Sequence, residues 1–168
     1  MPAYKALVRP LLEYCQEIWS PHLVCDISLI ENVQRRATKL IPEVAHLSYD
    51  ERIKALDLFR LADRRRRGDM ITVFKLMNNL MHVDTKLFTL MSEIKGTHNM
   101  STRRTNQKIK LKYCNNTIRD NWFSYRTIVP WNTLPQKITE SKNVDEFKWN
   151  YDSYIKHQNL KLLPIHQK

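Results

Sequence analysis

Leu61-Ala62-Asp63-Arg64-Arg65-Arg66-Arg67-Gly68-Asp69-Met70-Ile71-Thr72-Val73-Phe74-Lys75-Leu76-Met77-Asn78-Asn79-Leu80-Met81 is the stretch whose reading decides the fold. Met70, Val73, Phe74, Met77, Leu80 and Met81 recur at the spacing of one helical face, which predicts a helix from about Leu61 to Met81 with a single buried stripe. Its first turns hold four arginines in a row. Consecutive residues advance by about 100° around a helix, so four of them cannot all face water, and cations near an N-terminus oppose the macrodipole. Asp63 stands four before Arg67 and Asp69 four after Arg65, yet exposed pairs of this kind contribute only ~0.3–0.5 kcal/mol each. They also leave Arg64 and Arg66 without a local partner. Two readings stay open: neighbouring acids neutralise the run, or the run grips a phosphate backbone.

On the N-terminal side, Ala3 to Ile18 reads as helix, bent or interrupted at Pro10, where the ring removes an N–H and clashes with the preceding turn. Trp19-Ser20-Pro21 closes it. From Asp26, a candidate N-cap, to Ile41 the apolar residues Ile30, Val33, Ala37, Leu40 and Ile41 keep helical spacing, with Arg35 and Lys39 on the opposite side. Pro42 ends that segment. Ser48-Tyr49-Asp50-Glu51 has capping-box form and opens a short helix through Leu56.

On the C-terminal side, Gly96 to Asn106 is polar and basic and reads as a linker. Lys108-Ile109-Lys110-Leu111-Lys112-Tyr113 then alternates strictly, which predicts a half-buried strand with Ile109, Leu111 and Tyr113 inward and a row of three lysines outward. Such a row either discourages edge-to-edge aggregation or meets an anion. Asn121 to Trp131 reads as a short aromatic helix closed by Asn132-Thr133-Leu134-Pro135, its aromatic residues serving mostly as core. Asn143, with Glu146 three further on, caps a last amphipathic helix whose stripe is Val144, Phe147, Tyr151, Tyr154 and Ile155. The residues beyond, to Lys168, read as a tail.

The fold class expected is therefore mainly α: a helical lobe over 1–95, a basic linker over 96–106, a small α+β lobe with one short strand or hairpin over 107–155, and a tail over 156–168. With 168 residues and 42% hydrophobic content the chain can bury a real core. Lys and Arg number 28 against 17 Asp and Glu, and the excess is clustered: from Ile94 to Arg119 there is no acid at all. Clustering of this kind points to a polyanion.

Several chemistries are excluded or find no support. Gly68 and Gly96 are the only glycines, so the glycine loops of P-loop and dinucleotide folds cannot be built. The six histidines are scattered, without metal-ligand spacing, and no nucleophile stands beside a candidate base. No catalytic residue, metal ligand or cofactor is assigned. Cys15, Cys25 and Cys114 form no CxxC pair, and no apolar run approaches the roughly 20 residues of a membrane span, which together suggest an intracellular protein without a membrane partner. Arg67-Gly68-Asp69 spells an adhesion tripeptide, but inside a predicted helix.

Three blocks of the N-terminal part carry a resemblance: Tyr4-Lys5-Ala6-Leu7-Val8-Arg9-Pro10-Leu11-Leu12-Glu13-Tyr14, Ile18-Trp19-Ser20-Pro21-His22 and Glu31-Asn32-Val33-Gln34-Arg35-Arg36-Ala37-Thr38-Lys39. Leu47 to Arg52, Arg64 to Asp69 with Phe74-Lys75, Phe123-Ser124-Tyr125-Arg126, Trp131-Asn132-Thr133-Leu134-Pro135 and Phe147-Lys148 follow in order. The ordered set resembles the C-terminal part of LINE-type, jockey-like non-LTR retrotransposon reverse transcriptases over roughly Tyr4 to Tyr154. The resemblance implies thumb-like helices that grip a template–primer duplex, and the region beyond them. It also implies that the palm is absent, because the family's paired metal-binding aspartates have no counterpart among the residues of this chain. Where the family has Thr-Arg-Gly-His, Thr102-Arg103-Arg104-Thr105 stands here.

Two functions are thus expected. In the first, Arg35, Lys39, Arg64, Arg65, Arg66, Arg67, Arg103, Arg104, Lys108, Lys110 and Lys112 contact the backbone of RNA or DNA, an RNA/DNA duplex above all, without reading sequence and without polymerase activity. In the second, the chain is a structural or protein-interaction remnant. Its helices have lost upstream polymerase partners, and uncovered Leu11, Leu12 and Trp19 favour self-association.

Overall fold

The N-terminal stretch begins as a π-helical turn, Tyr4–Val8, that runs into α1 (Arg9–Glu13). In the computed structural model, which describes residues 1–83, 87–93 and 107–158, Pro10 does not break this segment. It sits in the first turn of α1, and the wider π turn ahead of it accommodates the ring. The interruption falls later, at Cys15, which adopts a left-handed conformation with φ 49° and separates α1 from α2 (Gln16–Trp19).

Helix α3 spans Val24–Lys39. It starts two residues before Asp26, which lies in the first turn rather than at the cap. Helix α4 (Tyr49–Ala55) opens on the expected capping box: Ser48 N–H donates to Glu51 Oε2 at 2.8 Å and Glu51 N–H to Ser48 Oγ at 3.4 Å. Helix α5 covers Leu61–Met77 and stops short of Met81. Asn79, at φ 53°, is its left-handed C′ residue; Leu80 N–H reaches Lys75 O at 2.8 Å and Asn79 N–H reaches Leu76 O at 3.2 Å, the paired bonds of a Schellman ending. Leu80 and Met81 consequently leave the stripe and are exposed.

The chain divides into two compact units, Met1–Gly68 and Asp69–Lys168. The division falls within α5, and the stretch 96–106 lies outside the described residues.

The first unit joins a buried polar network to a small apolar cluster of Tyr49, Ile53 and Leu58. α3 turns Glu31, Gln34 and Thr38 inward, while Val33 and Leu40 of the expected apolar stripe are exposed. The helical periodicity is as expected but the packed face is the polar one. Gln34 Oε1 accepts from the Tyr4 hydroxyl at 2.8 Å, and Gln34 Nε2 donates to Tyr49 Oη and to the Phe59 carbonyl, both at 3.0 Å. The Tyr49 hydroxyl donates to Glu31 Oε1, whose other oxygen accepts the Leu61 N–H at 2.9 Å and so puts a carboxylate on the first amide of α5. Gln16 donates to the Arg65 carbonyl at 2.9 Å.

The second unit has an aromatic and aliphatic core. Met70, Val73 and Phe74 of α5 meet Phe88, Ile109, Ile128, Trp131, Ile138, Phe147 and Tyr151. Phe74 stacks on Phe147 with ring centroids 4.4 Å apart, and Trp131 lies 6.1 Å from the same ring. After α6 (Thr117–Asp120), the expected aromatic helix is two short ones, α7 (Phe123–Arg126) and α8 (Ile128–Thr133); α9 (Gln136–Thr139) and α10 (Val144–Gln158) follow. Asn143 Oδ1 accepts from the Glu146 N–H at 2.8 Å, as expected of the α10 cap. Phe147 and Tyr151 are buried, with Val144, Tyr154 and Ile155 packed beside them. Strand structure among the described residues is one antiparallel bridge, Leu90 to Ile109.

Candidate functional site

The expected anion-contacting residues fall into three groups. Arg35 and Lys39 lie on the exposed side of α3. The Arg35 guanidinium sits 4.2 Å from the centroid of the Tyr49 ring, so a cation–π contact positions it without neutralising it. Tyr49 remains a neutral phenol over an unusually wide range: burial first, then the hydrogen bond to the Glu31 carboxylate, push its ionisation upward. Lys39, the last residue of α3, is placed favourably against the negative end of the helix.

The arginine run of α5 is not a free cluster. Arg64 makes a two-pronged ion pair with Glu13, through Nε to Oε1 and through Nη2 to Oε2 at 2.9 Å. The acid that serves it lies 51 residues away, outside the reach of any local rule. Arg65 is 3% exposed, which takes it away from a phosphate backbone. Arg66 and Arg67 are half-buried. Burial holds the Asp63 carboxyl above its usual range, against the pull of Arg66, Arg60 and Arg65.

Lys108, Lys110 and Lys112 belong to the second unit and differ among themselves. Lys108 and Lys110 are exposed on either side of buried Ile109. Both edges of this short segment are closed. Met91 N–H donates to Lys108 O at 2.9 Å and Lys110 N–H to Thr89 O at 2.7 Å on one edge. On the other, the Asn132 side chain acts as the missing strand: its Oδ1 accepts the Ile109 N–H at 2.9 Å and its Nδ2 donates to the Ile109 carbonyl at 2.8 Å. Trp131 Nε1 adds a bond to the Gln107 carbonyl at 2.9 Å. Lys112 is fixed by donation to the Leu87 carbonyl at 2.7 Å, with its ammonium 5.7 Å from the Tyr125 ring.

The expected alternation stops after Lys110. Leu111 is exposed and Tyr113 is 91% exposed, because the bridge to Leu90 spans a single residue pair and, among the described residues, no partner continues beyond it. Trp122 is 56% exposed rather than core, with the Arg119 guanidinium 5.7 Å from its ring. Tyr113, Arg119 and Trp122 are therefore candidates that periodicity concealed, and the acid-free charge run ending at Arg119 was the available signal. Arg103 and Arg104 lie outside the described residues. A cavity of about 270 Å³ beside Gln107, Lys108, Asn132 and Glu140 is polar, with Glu140 accepting from Gln136 Nε2 at 2.6 Å. Among the described residues no group of His, Cys, Asp or Glu is arranged to hold a metal ion, and no helix is long and apolar enough to cross a membrane.

The blocks singled out in the sequence turn out to hold one another. Tyr4, Gln34 and Tyr49 are joined by hydrogen bonds. Asp69 receives a two-pronged ion pair from Arg126, at 2.9 and 3.0 Å across 57 residues, and is buried, so the Arg67-Gly68-Asp69 tripeptide cannot present its acid. Asn132 completes the bridge segment. Compared with known proteins, the chain matches no family model, no curated protein and no solved structure.

Proposed function

We propose that this chain binds the sugar–phosphate backbone of RNA or DNA without sequence preference and makes or breaks no bonds itself, like the C-terminal part of the LINE-type reverse transcriptase its sequence blocks resemble. The observation that carries this reading is the Lys108/Lys110 pair. Two residues along an extended strand are about 6.6 Å apart, close to the spacing of successive phosphates. Both ammonium groups project from one side of a segment fixed on both edges, and neither is bonded to a carboxylate among the described residues. Exposed Tyr113 and Trp122 add faces on which unpaired bases can stack. In the first unit Arg35 and Lys39 supply a second cationic surface. Arg66 and Arg67 remain members of the set, whereas Arg64 and Arg65 serve the fold.

The test is fluorescence anisotropy with a labelled RNA/DNA duplex over a salt series. Binding should weaken linearly in log–log form, and replacing both Lys108 and Lys110 by Ala should reduce the slope by about 1.8, since each duplex phosphate contact contributes ~0.9. Duplexes of unrelated sequence should bind alike. Absent binding at low salt, or binding indifferent to salt, would end this reading.

A further inference from the structure

Helix α3 is packed on its polar side, and its apolar side is exposed among the described residues. Around its axis Leu29, Val33 and Leu40 fall within about 40° of one another; Leu29 is 65% and Leu40 83% exposed, while Gln34 and Thr38 are fully buried. A surface helix normally does the reverse. The spacing of the uncovered arc is informative: Asp26, Leu29, Val33, Arg36 and Leu40 follow one another at intervals of three, four, three and four residues, the seam of a coiled coil. Asp26 and Arg36 are both exposed, and neither forms an ion pair among the described residues.

We propose that α3 pairs with α3 of a second copy of this chain, antiparallel, about a two-fold axis beside Glu31. In that register Leu29 lies across from Val33 of the second copy, and Asp26 across from Arg36, each contact occurring twice. A parallel pairing would set Asp26 against Asp26 and Arg36 against Arg36. Only the antiparallel arrangement matches both the apolar and the charged positions, and it opposes the two helix macrodipoles favourably. Leu40 then reaches past the start of the other helix toward Leu23, itself exposed. Covering Leu23, Leu29, Val33 and Leu40 in both copies removes roughly 800 Å² in total, below the standard size of a specific interface, so the dimer is a weak and reversible one. The Leu29–Val33–Leu40 arc lies about 80° or more around the helix from Lys39 and about 120° or more from Arg35, and the pairing does not depend on nucleic-acid binding.

Sedimentation equilibrium on the full chain, with Asp26→Arg and Arg36→Glu made separately, tests this register. Each variant alone places like charges across the interface twice and should weaken self-association by about tenfold or more. Mixed in equal amounts, the two should form a heterodimer about as readily as the parent forms its dimer, because both cross-copy contacts are again between opposite charges, one the parent Asp26–Arg36 pair and the other with its signs reversed. Leu29→Gln, at a position exposed in the single chain, should weaken association without altering helix content by circular dichroism. A parent chain that stays monomeric throughout the micromolar range overturns the proposal. So does a dimer unaffected by Leu29→Gln, or a mixture of the two charge variants that fails to associate.

Discussion

Gly68 lies inside α5, where alanine would ordinarily be preferred by about 1 kcal/mol. Here a Cβ would overlap Gln16 Nε2 and come within 2.8 Å of Gln16 Cδ, and Gln16 is a buried side chain whose amide donates to the Arg65 carbonyl. Gly68→Ala therefore expels the Gln16 amide. Losing that bond removes about 1 kcal/mol, and stranding its buried partners costs about 1–2 kcal/mol more. Against the helix gain, a net destabilisation of about 1–2 kcal/mol is expected. The sign should invert once Gln16 is gone: in a Gln16→Ala background, Gly68→Ala should stabilise by about 1 kcal/mol. The coupling between the two sites, about 2–3 kcal/mol, is well above the ~0.5 kcal/mol by which independent substitutions fail to add. Urea unfolding followed by circular dichroism, with midpoints compared at equal slope, measures all four corners of the cycle. Stabilisation by Gly68→Ala in the parent chain, or equal effects in both backgrounds, would refute the close approach of Gln16.

Two further outcomes are expected. Asn132→Ala strands the N–H and carbonyl of buried Ile109 and should cost about 2–4 kcal/mol by urea unfolding, and Asn132→Asp should not rescue it, because a carboxylate oxygen would then face the Ile109 carbonyl without a donor. Tyr4 is pushed up to about 12, first by burial and then by Glu31, and Tyr49 is raised as well; the unfolded chain loses these protons near 10 while the folded one keeps them, so stability should fall as pH rises above 10, by ~1.4 kcal/mol per pH unit for each group. Tyrosinate absorbance should show two of the seven tyrosines silent until the chain unfolds, and ionisation of all seven near pH 10 in the folded protein would contradict the network.

What could be read from the residues was whatever obeys a short-range rule. The Ser48 capping box and the Phe147/Tyr151 stripe of α10 depend on neighbours within a turn or two, and both stand as expected. The C-terminal end of α5 was misplaced because Asn79 performs the left-handed turn that glycine more often makes. The apolar period of α3 was legible, but its direction was not: Tyr4, Tyr49, the Phe59 carbonyl and the Leu61 amide, which hold the polar face inward, come from other parts of the chain. Leu111 and Tyr113 continue an alternation past the point where a partner strand exists. Charge clustering located the lysine segment, while the Glu13–Arg64 and Asp69–Arg126 pairs, separated by 51 and 57 residues, needed coordinates.

The polar interior of the first unit also has a thermal consequence. Opening it exposes amides, hydroxyls and a carboxylate alongside the small Tyr49, Ile53 and Leu58 cluster, and polar exposure lowers the heat-capacity increment that apolar exposure raises. Its free-energy curve against temperature should accordingly be the flatter of the two. The second unit, built on Phe74, Trp131 and Phe147, has the steeper dome of an oily interior, so chilling weakens the aromatic half of the chain more than the hydrogen-bonded half.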